Sequence, residues 1–298
     1  MAPRVIFLMA DYGHDPTGPA HKLSRSIGST DRLPETAIPW QVFMDSGFDV
    51  AFATEQGKMP ACDEKMLSGW TGALLGANTT AKKAYHSLAT SCENFQHPLS
   101  FQDPSFSLDS YDLVFLPGGH EKRVRQIIDS PRAHELLASY FPQTQKPSRK
   151  SLAAICHGVQ VLATASLPDG RSVIHDATTT ALPAFMEQGI FHATKLVLGD
   201  YYKTYGAGTD SVEEVVKKRL HNRSQFASSI NPVKPYVLQS PSTCWHGSLW
   251  HSLSQPSDNS SFVVEDPKYN YLSARFPPDA ELLAQKAVEM VKKAAQVQ

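Results

Sequence analysis

Short apolar runs that alternate with helix-like segments are the feature of this sequence that most constrains its fold. Runs that are apolar on both faces predict strands buried between two layers, because alternate side chains of a strand point to opposite faces. The strongest runs are residues 5–9, 49–54, 113–116 and 151–155. Because helical patterns separate them, the sequence predicts an α/β fold with a mainly parallel central sheet and helices on both faces.

The helical patterns and the unpatterned stretches define the expected organisation of the chain. Helices are predicted at residues 34–44, 79–88, 124–129, 133–140, 158–165, 180–188, 212–220 and 278–295. Two further short strands are predicted at residues 262–264 and 271–274. We interpret residues 1–298 as a single domain, which is long enough to bury a sizeable core. Its predicted insertions lie at about 10–34, 57–110 and 221–260.

Composition and charge exclude several classes of protein. Lys plus Arg total 28 and Asp plus Glu total 29, for a formal net charge of −1, so the chain lacks the basic excess of a dedicated nucleic-acid binder. No apolar run approaches the roughly 18 to 20 residues that span a bilayer. The first nine residues lack the longer apolar core of a signal peptide, and the four cysteines lack metal spacing. We therefore expect a cytoplasmic protein with reduced thiols and no nucleic-acid or membrane partner.

The segment AICHG, residues 154–158, carries the clearest chemical signal. A predicted strand leads into Cys156, a predicted helix follows at once, and Ala154 and Gly158 give the small-x-nucleophile-x-Gly spacing of a nucleophile elbow. The positive end of the following helix would favour the thiolate. The alternative is a buried structural cysteine, but the spacing favours a reactive thiol.

The segment PGG after the strand at 113–116 is a second candidate element of the site. Gly118 and Gly119 can turn backbone N–H groups towards a bound oxygen, since no β-carbon stands in the way. With the N–H of His157, the Gly119 amide could form an oxyanion hole. An ordinary turn is the alternative.

These motifs together resemble the ThiJ/PfpI superfamily, which is related to class I glutamine amidotransferases. The resemblance rests on LVFLPGGH, AICHG and Glu35 in PETAIP, and it covers most of residues 4–200 and the last predicted helix. It implies a flavodoxin-like sandwich in which Cys156 is the elbow nucleophile and His157 the histidine beside it. It also implies that Glu35 contacts the thiol and that Gly119 belongs to the oxyanion hole. The insertions and the HEK triplet after the double glycine are similar to the larger heat-shock-type members.

Glu35 and His157 both need further chemistry to fit these roles. An ionised carboxylate beside Cys156 would oppose thiolate formation, so we expect a protonated Glu35 that donates a hydrogen bond and moves protons. A solvated glutamate at a helix N-terminus is the alternative. A Cys–His relay also needs a third group to orient the imidazole, and Glu187 and Asp176 are the candidate acids.

Other residues are weaker candidates for the substrate pocket. His14, His120 and Gly118 are predicted to line it. Cys244, Trp245, His246 and His251 are more typical of partial core or surface than of a metal site. We therefore expect neither a cofactor nor a metal.

The leading functional hypothesis is a cysteine-dependent enzyme that acts on a small carbonyl compound, as a glyoxalase-III-like lyase or as a hydrolase or hydratase. Glutamine hydrolysis is disfavoured because no His-x-Glu triplet follows Cys156, and GxSxG is absent. The main alternative is a stress-response chaperone-like protein, or a redox sensor that uses the same thiol. A degenerate member that only binds a ligand is a third possibility. The resemblance also implies a homodimer.

Overall fold

A seven-stranded sheet forms the centre of the computed structural model, which describes residues 2–14, 35–62, 79–228 and 261–296. The strands in these ranges are β1 (Arg4–Leu8), β2 (Tyr12–His14), β3 (Asp49–Thr54), β4 (Ala61–Cys62), β5 (Leu99–Ser100), β6 (Leu113–Leu116), β7 (Ser151–Ile155), β8 (Val263–Glu265) and β9 (Tyr271–Ala274). The sheet order is β5-β3-β1-β6-β7-β9-β8. All neighbours are parallel except β8 and β9, which confirms the predicted mainly parallel sheet. Strands β2 and β4 form a separate parallel pair.

Helices connect the strands and cover the sheet. In the described ranges they are α1 (Ala37–Asp45), α2 (Thr79–Ser91), α3 (Glu93–Gln96), α4 (Arg125–Ile128), α5 (Pro131–Tyr140), α6 (His157–Thr164), α7 (Ala184–Leu198), α8 (Val212–Arg219) and α9 (Ala280–Ala294). None of these helices is both long and apolar enough to cross a membrane.

The period of two along each central strand divides the interior into two hydrophobic cores. Ile6 and Leu8 of β1 belong to a core shared with α5, α6 and α8. Val5 and Phe7 of the same strand belong to the second core, which α1 and α9 complete. The central strands are therefore apolar on both faces because a helical layer packs on each.

Most predicted elements match the structure, and several strands match residue for residue. The helix predicted at 180–188 is an exception, because it begins at Ala184 and continues to Leu198. Pro183 is its N-cap in an extended conformation, and the backbone N–H of Thr180 donates to Ser273 Oγ at 2.9 Å. The first residues of this stretch are thus held against β9 instead of entering the helix.

The predicted insertion at 57–110 also contains part of the main sheet. Its last described portion holds α2 and α3 and then β5, which pairs with β3 at the edge of the sheet. Strand β5 is only two residues long, so the apolar pattern that identifies longer strands could not reveal it. Residues 15–34, 63–78 and 229–260, which hold much of the three predicted insertions, lie outside the described residues.

Candidate active site

Cys156 occupies a strained turn between β7 and α6. Its backbone has φ 57° and ψ −123°, and it is the one non-glycine residue with positive φ in the described part of the chain. The backbone N–H of Cys156 donates to Ala274 O of β9 at 3.1 Å, so the turn is tied to the neighbouring strand. A conformation of this kind costs about 1–3 kcal/mol and persists only where the surrounding structure enforces it. This geometry is that of the predicted nucleophile elbow.

Gly158 allows the helix after the elbow to begin against the end of β6. A β-carbon built at this position would lie 2.2 Å from Leu116 O and 2.9 Å from Pro117 O, which is closer than β-carbons approach other atoms in proteins. The glycine of AICHG is therefore required by the packing of α6 on β6, and this requirement explains the spacing that identified the motif.

Glu35 and Cys156 both border Gly118. A β-carbon built on Gly118 would lie 2.1 Å from Glu35 Oε2 and 2.7 Å from Cys156 Cβ. Glu35 stands two residues before α1 and is fully buried. The carboxyl group thus borders the same small space as the cysteine, and the solvated helix-terminal glutamate considered above is wrong for this residue.

His157 interacts with Cys156 although the two residues are adjacent in sequence. Its Nδ1 lies 3.4 Å from Cys156 Sγ, and its Nε2 lies 3.0 Å from Thr204 Oγ1. Neighbours on a regular helix diverge, but Cys156 precedes the helix in a non-helical conformation, and this brings the two side chains together. The Thr204 hydroxyl also donates to His120 O at 3.0 Å.

The environment of His157 keeps its imidazole neutral near pH 7. Burial lowers the pKa of His157 to about 3, and the nearby His120 and Lys203 act in the same direction. A neutral ring has one protonated and one unprotonated nitrogen, so it can accept a proton from a thiol.

Aromatic side chains enclose His120, a residue predicted to line the substrate pocket. The ring stacks on Tyr202 with centroids 4.6 Å apart and meets the edge of Tyr201 at 5.0 Å. All three residues are buried. Together with Lys203 and Thr204 they form a wall beside His157, and no sequence pattern predicts residues 201–204 of this wall. The run YYKT has no motif; its two adjacent tyrosines were the one available signal.

The two candidate acids for orienting His157 are engaged elsewhere. Glu187 Oε1 pairs with Lys203 Nζ at 3.0 Å, and its Oε2 accepts the backbone N–H of Val212 at 2.9 Å. Asp176 lies in an exposed cluster, 2.8 Å from His175 Nδ1 and 3.7 Å from Lys268 Nζ. Cys156 and Thr204 contact the two ring nitrogens of His157. The group that faces the imidazole on the side away from the thiol is therefore a hydroxyl, not a carboxylate. Glu187 approaches the site through Lys203, whereas Asp176 belongs to the surface network.

Gly119 is described by the structure, whereas most of the other weaker site candidates lie outside the described residues. Gly119 follows Gly118 with φ 156°, a backbone region that side chains disfavour, and its role in an oxyanion hole stays a prediction. The backbone of His14 belongs to β2, while its side chain lies outside the described part of the structure, as do Cys244, His246 and His251. Among the described residues, no group of three or more His, Cys, Asp or Glu is placed to hold a metal ion.

Comparison with known families agrees with this geometry. Residues 31–237, well over half of the 298, match the family described as ThiJ/PfpI family-like. The chain belongs to the ThiJ/PfpI family. The elbow around Cys156 and the glycine turn at 118–119 are both inside the matched region.

Relatives of this ThiJ/PfpI chain include proteins of Schizosaccharomyces pombe. The uncharacterized protein C14C4.04 is 27% identical over 292 residues, which cover 94% of this chain and 89% of the relative. The glutathione-independent glyoxalase hsp3101 is 27% identical over 152 residues, which cover 49% of this chain and 56% of the relative.

Solved structures share this fold. Glyoxalase III from Candida albicans superposes with a TM-score of 0.54 at 12% identity, covering 97% of each chain. A ThiJ/PfpI domain protein from Brachyspira murdochii superposes with a TM-score of 0.51 at 12% identity, covering 98% of each chain. At these identities the likeness is one of fold.

Proposed function

We propose that this ThiJ/PfpI protein is a cofactor-free, cysteine-dependent enzyme that converts 2-oxoaldehydes to 2-hydroxy acids. The observation that carries the proposal is the distance of 3.4 Å between Cys156 Sγ and His157 Nδ1, at an elbow that Glu35 borders. The substrate class is suggested by two similar proteins, one named a glutathione-independent glyoxalase and the other glyoxalase III.

The first proposed step joins the sulfur to the substrate aldehyde. His157 Nδ1 accepts the thiol proton as Cys156 Sγ attacks the aldehyde carbon, and the carbonyl electron pair moves to oxygen. The backbone N–H groups of Gly119 and His157 hold this oxygen while it carries charge. The proton then passes from His157 to the oxygen, because a ring with a pKa of about 3 does not stay protonated near pH 7. The product is a neutral hemithioacetal.

The second proposed step moves hydrogen between two substrate carbons. The first carbon is the former aldehyde carbon, now bonded to sulfur, and the second is the neighbouring ketone carbon. His157 removes the proton on the first carbon, while the protonated carboxyl of Glu35 donates a proton to the oxygen on the second. The resulting enediol takes the proton from His157 on its second carbon and returns a hydroxyl proton to Glu35, which gives a thioester. Water cleaves the thioester to the hydroxy acid and restores the thiol. We propose the neutral form of Glu35 because the carboxyl is fully buried and a buried charge is costly.

The test is turnover of methylglyoxal without glutathione, with lactate as the measured product. The comparison uses the wild type, Cys156→Ala and Glu35→Gln, together with Cys92→Ala as a matched control at a half-buried free cysteine outside the site. We expect lactate from the wild type and Cys92→Ala, none from Cys156→Ala, and a fall of roughly 100-fold in kcat for Glu35→Gln. Full activity in Cys156→Ala would contradict the nucleophile, and full activity in Glu35→Gln would contradict the proton shuttle.

A thiol sensor is the competing hypothesis for the same residues, and peroxide treatment separates the two. For the enzyme we expect turnover by the reduced protein, and loss of that turnover when mass spectrometry shows oxidation of Cys156. Selective sulfinate formation at Cys156 in a protein that turns over no 2-oxoaldehyde or ester would instead favour sensing. A wild type that is inactive and also resistant to oxidation would contradict both.

A further inference from the structure

We infer that Thr204 is a positioning residue that fixes the tautomer of His157, so that the unprotonated ring nitrogen faces the Cys156 thiol. The role of Thr204 in catalysis rests on the proposed function, whereas the hydrogen bonds that fix the tautomer are independent of it. The assignment follows from three buried groups, namely the Thr204 hydroxyl, the His157 ring and the backbone carbonyl of His120.

The direction of each hydrogen bond in this chain follows from what its groups can donate. A backbone carbonyl can only accept, so the hydroxyl proton of Thr204 points to His120 O at 3.0 Å. The same hydroxyl oxygen lies 3.0 Å from His157 Nε2, and with its proton committed it can only accept there. Nε2 therefore carries the hydrogen of the neutral ring. Nδ1 is left with a lone pair, 3.4 Å from Cys156 Sγ.

The reverse arrangement would change the chemistry of the site. If Thr204 donated to Nε2, the hydroxyl would give up its bond to His120 O, and Nδ1–H would point at the sulfur. Such a ring could hold a thiolate but could not take a proton from a thiol. His157 and Thr204 are both buried, so water is poorly placed to repair a lost bond, and the direction in which Nε2 donates to Thr204 is preferred.

The presence of a hydroxyl in place of either candidate carboxylate also has an electrostatic consequence. A carboxylate at Nε2 would stabilise an imidazolium, whereas a neutral hydroxyl orients the ring without doing so. The nearby His120 and Lys203 also keep the ring neutral, because both disfavour a positive charge on His157. The site thus holds a neutral base whose lone pair is directed at the thiol.

Nitrogen-15 NMR of histidine in the resting protein measures the tautomer directly and needs no substrate. The signals of His157, one of 12 histidines, are identified by their loss in His157→Gln. We expect the Nε2–H tautomer in the wild type and in Thr204→Ser, which keeps the hydroxyl. We expect a mixed or reversed tautomer in Thr204→Val, which keeps the shape but cannot accept a hydrogen bond.

Alkylation of Cys156 by iodoacetamide at pH 7 gives a second readout, with Cys156→Ala reporting the other cysteines. We expect the alkylation rate of Thr204→Val to fall roughly 10-fold and that of Thr204→Ser to stay within about twofold of wild type. An Nδ1–H ring in the wild type would overturn the inference, even if Thr204→Val did not fold. So would an unchanged tautomer in a folded Thr204→Val. Absence of methylglyoxal turnover by the wild type would instead count against the proposed function and leave the tautomer result unaffected.

Discussion

The carboxyl of Glu35 fills the space that a side chain at position 118 would need. Oxygen Oε2 of Glu35 lies 2.1 Å from the position of a β-carbon on Gly118. The same β-carbon would lie 2.7 Å from Cys156 Cβ. The glycine therefore keeps the acid and the thiol on either side of one small space.

Substitution of Gly118 by alanine should separate these two groups. We expect Gly118→Ala to lower the free energy of unfolding by about 1–3 kcal/mol, the usual cost of overpacking, and to abolish turnover because Glu35 must move. Urea unfolding and the methylglyoxal assay measure the two effects. The matched control is Gly189→Ala in α7, where a β-carbon meets nothing within 4 Å. For this control we expect the free energy of unfolding to rise by roughly 0.5–1 kcal/mol, because alanine favours the helix more than glycine does. Equal behaviour of the two variants would contradict the prediction.

The strained backbone of Cys156 predicts an unusual order of stability among its variants. Glycine adopts φ 57° and ψ −123° without steric strain, whereas alanine, like cysteine, is strained there. We expect Cys156→Gly to exceed Cys156→Ala in unfolding free energy by about 1 kcal/mol, with both inactive. The comparison is Ala193→Gly on the exposed side of α7, where glycine should cost roughly 0.5–1 kcal/mol. If glycine were the less stable choice at both positions, the elbow would not be strained.

The lowered pKa of His157 predicts a loss of stability in mild acid. The ring stays neutral in the folded state down to about pH 3, whereas in the unfolded chain it binds a proton below its ordinary value of 6.5. The unfolded state therefore binds more protons between pH 3 and pH 6.5. The contribution of the neutral His157 to the free energy of unfolding is intact above pH 6.5 and is lost as the pH falls towards 3. Between pH 7 and pH 5 the loss for one such group is about 2 kcal/mol.

Urea titrations of the wild type and His157→Gln at both pH values measure this contribution. The acid-induced loss should be smaller in the variant by about the amount expected for one histidine. Parallel losses in the two proteins would mean that His157 titrates in the folded state near its ordinary pKa.

The ion pair between Lys203 and Glu187 should be strongly coupled because both side chains are buried, with 5% and 6% of their surface exposed. We expect Lys203→Met or Glu187→Gln alone to cost about 3–5 kcal/mol, since each leaves a buried group without its partner. The double variant should lose clearly less than the sum of the two, because the new amide oxygen at position 187 would still accept the Val212 N–H. The exposed pair Arg223–Glu214 is the control, with an expected coupling below about 1 kcal/mol. Additive losses at the buried pair would contradict the prediction.

The elements that the sequence predicted are those whose signals are local. The strand before Cys156 is a run of apolar residues, and the elbow is specified by the small residues around the cysteine. Steric demands at Gly118 and Gly158 act within short motifs at the ends of two strands, so the spacing of AICHG and PGG could reveal them. For the same reason, β6, β7 and β9 were predicted with their observed bounds.

The partner of His157 could not be found in this way. Thr204 lies 47 residues further along the chain, in a segment without a motif beyond the end of α7. A Cys–His pair needs an orienting group, and an acid is the typical candidate, whereas one threonine among many carries no such signal.

The amino-acid sequence by itself determined the alternating layers and the site of the nucleophile, because hydrophobic period and turn sterics are properties of neighbouring residues. Which groups surround the thiol was decided by the tertiary structure alone. The acid before α1 and the hydroxyl after α7 come together only when parallel strands bring their carboxyl ends to one edge of the sheet.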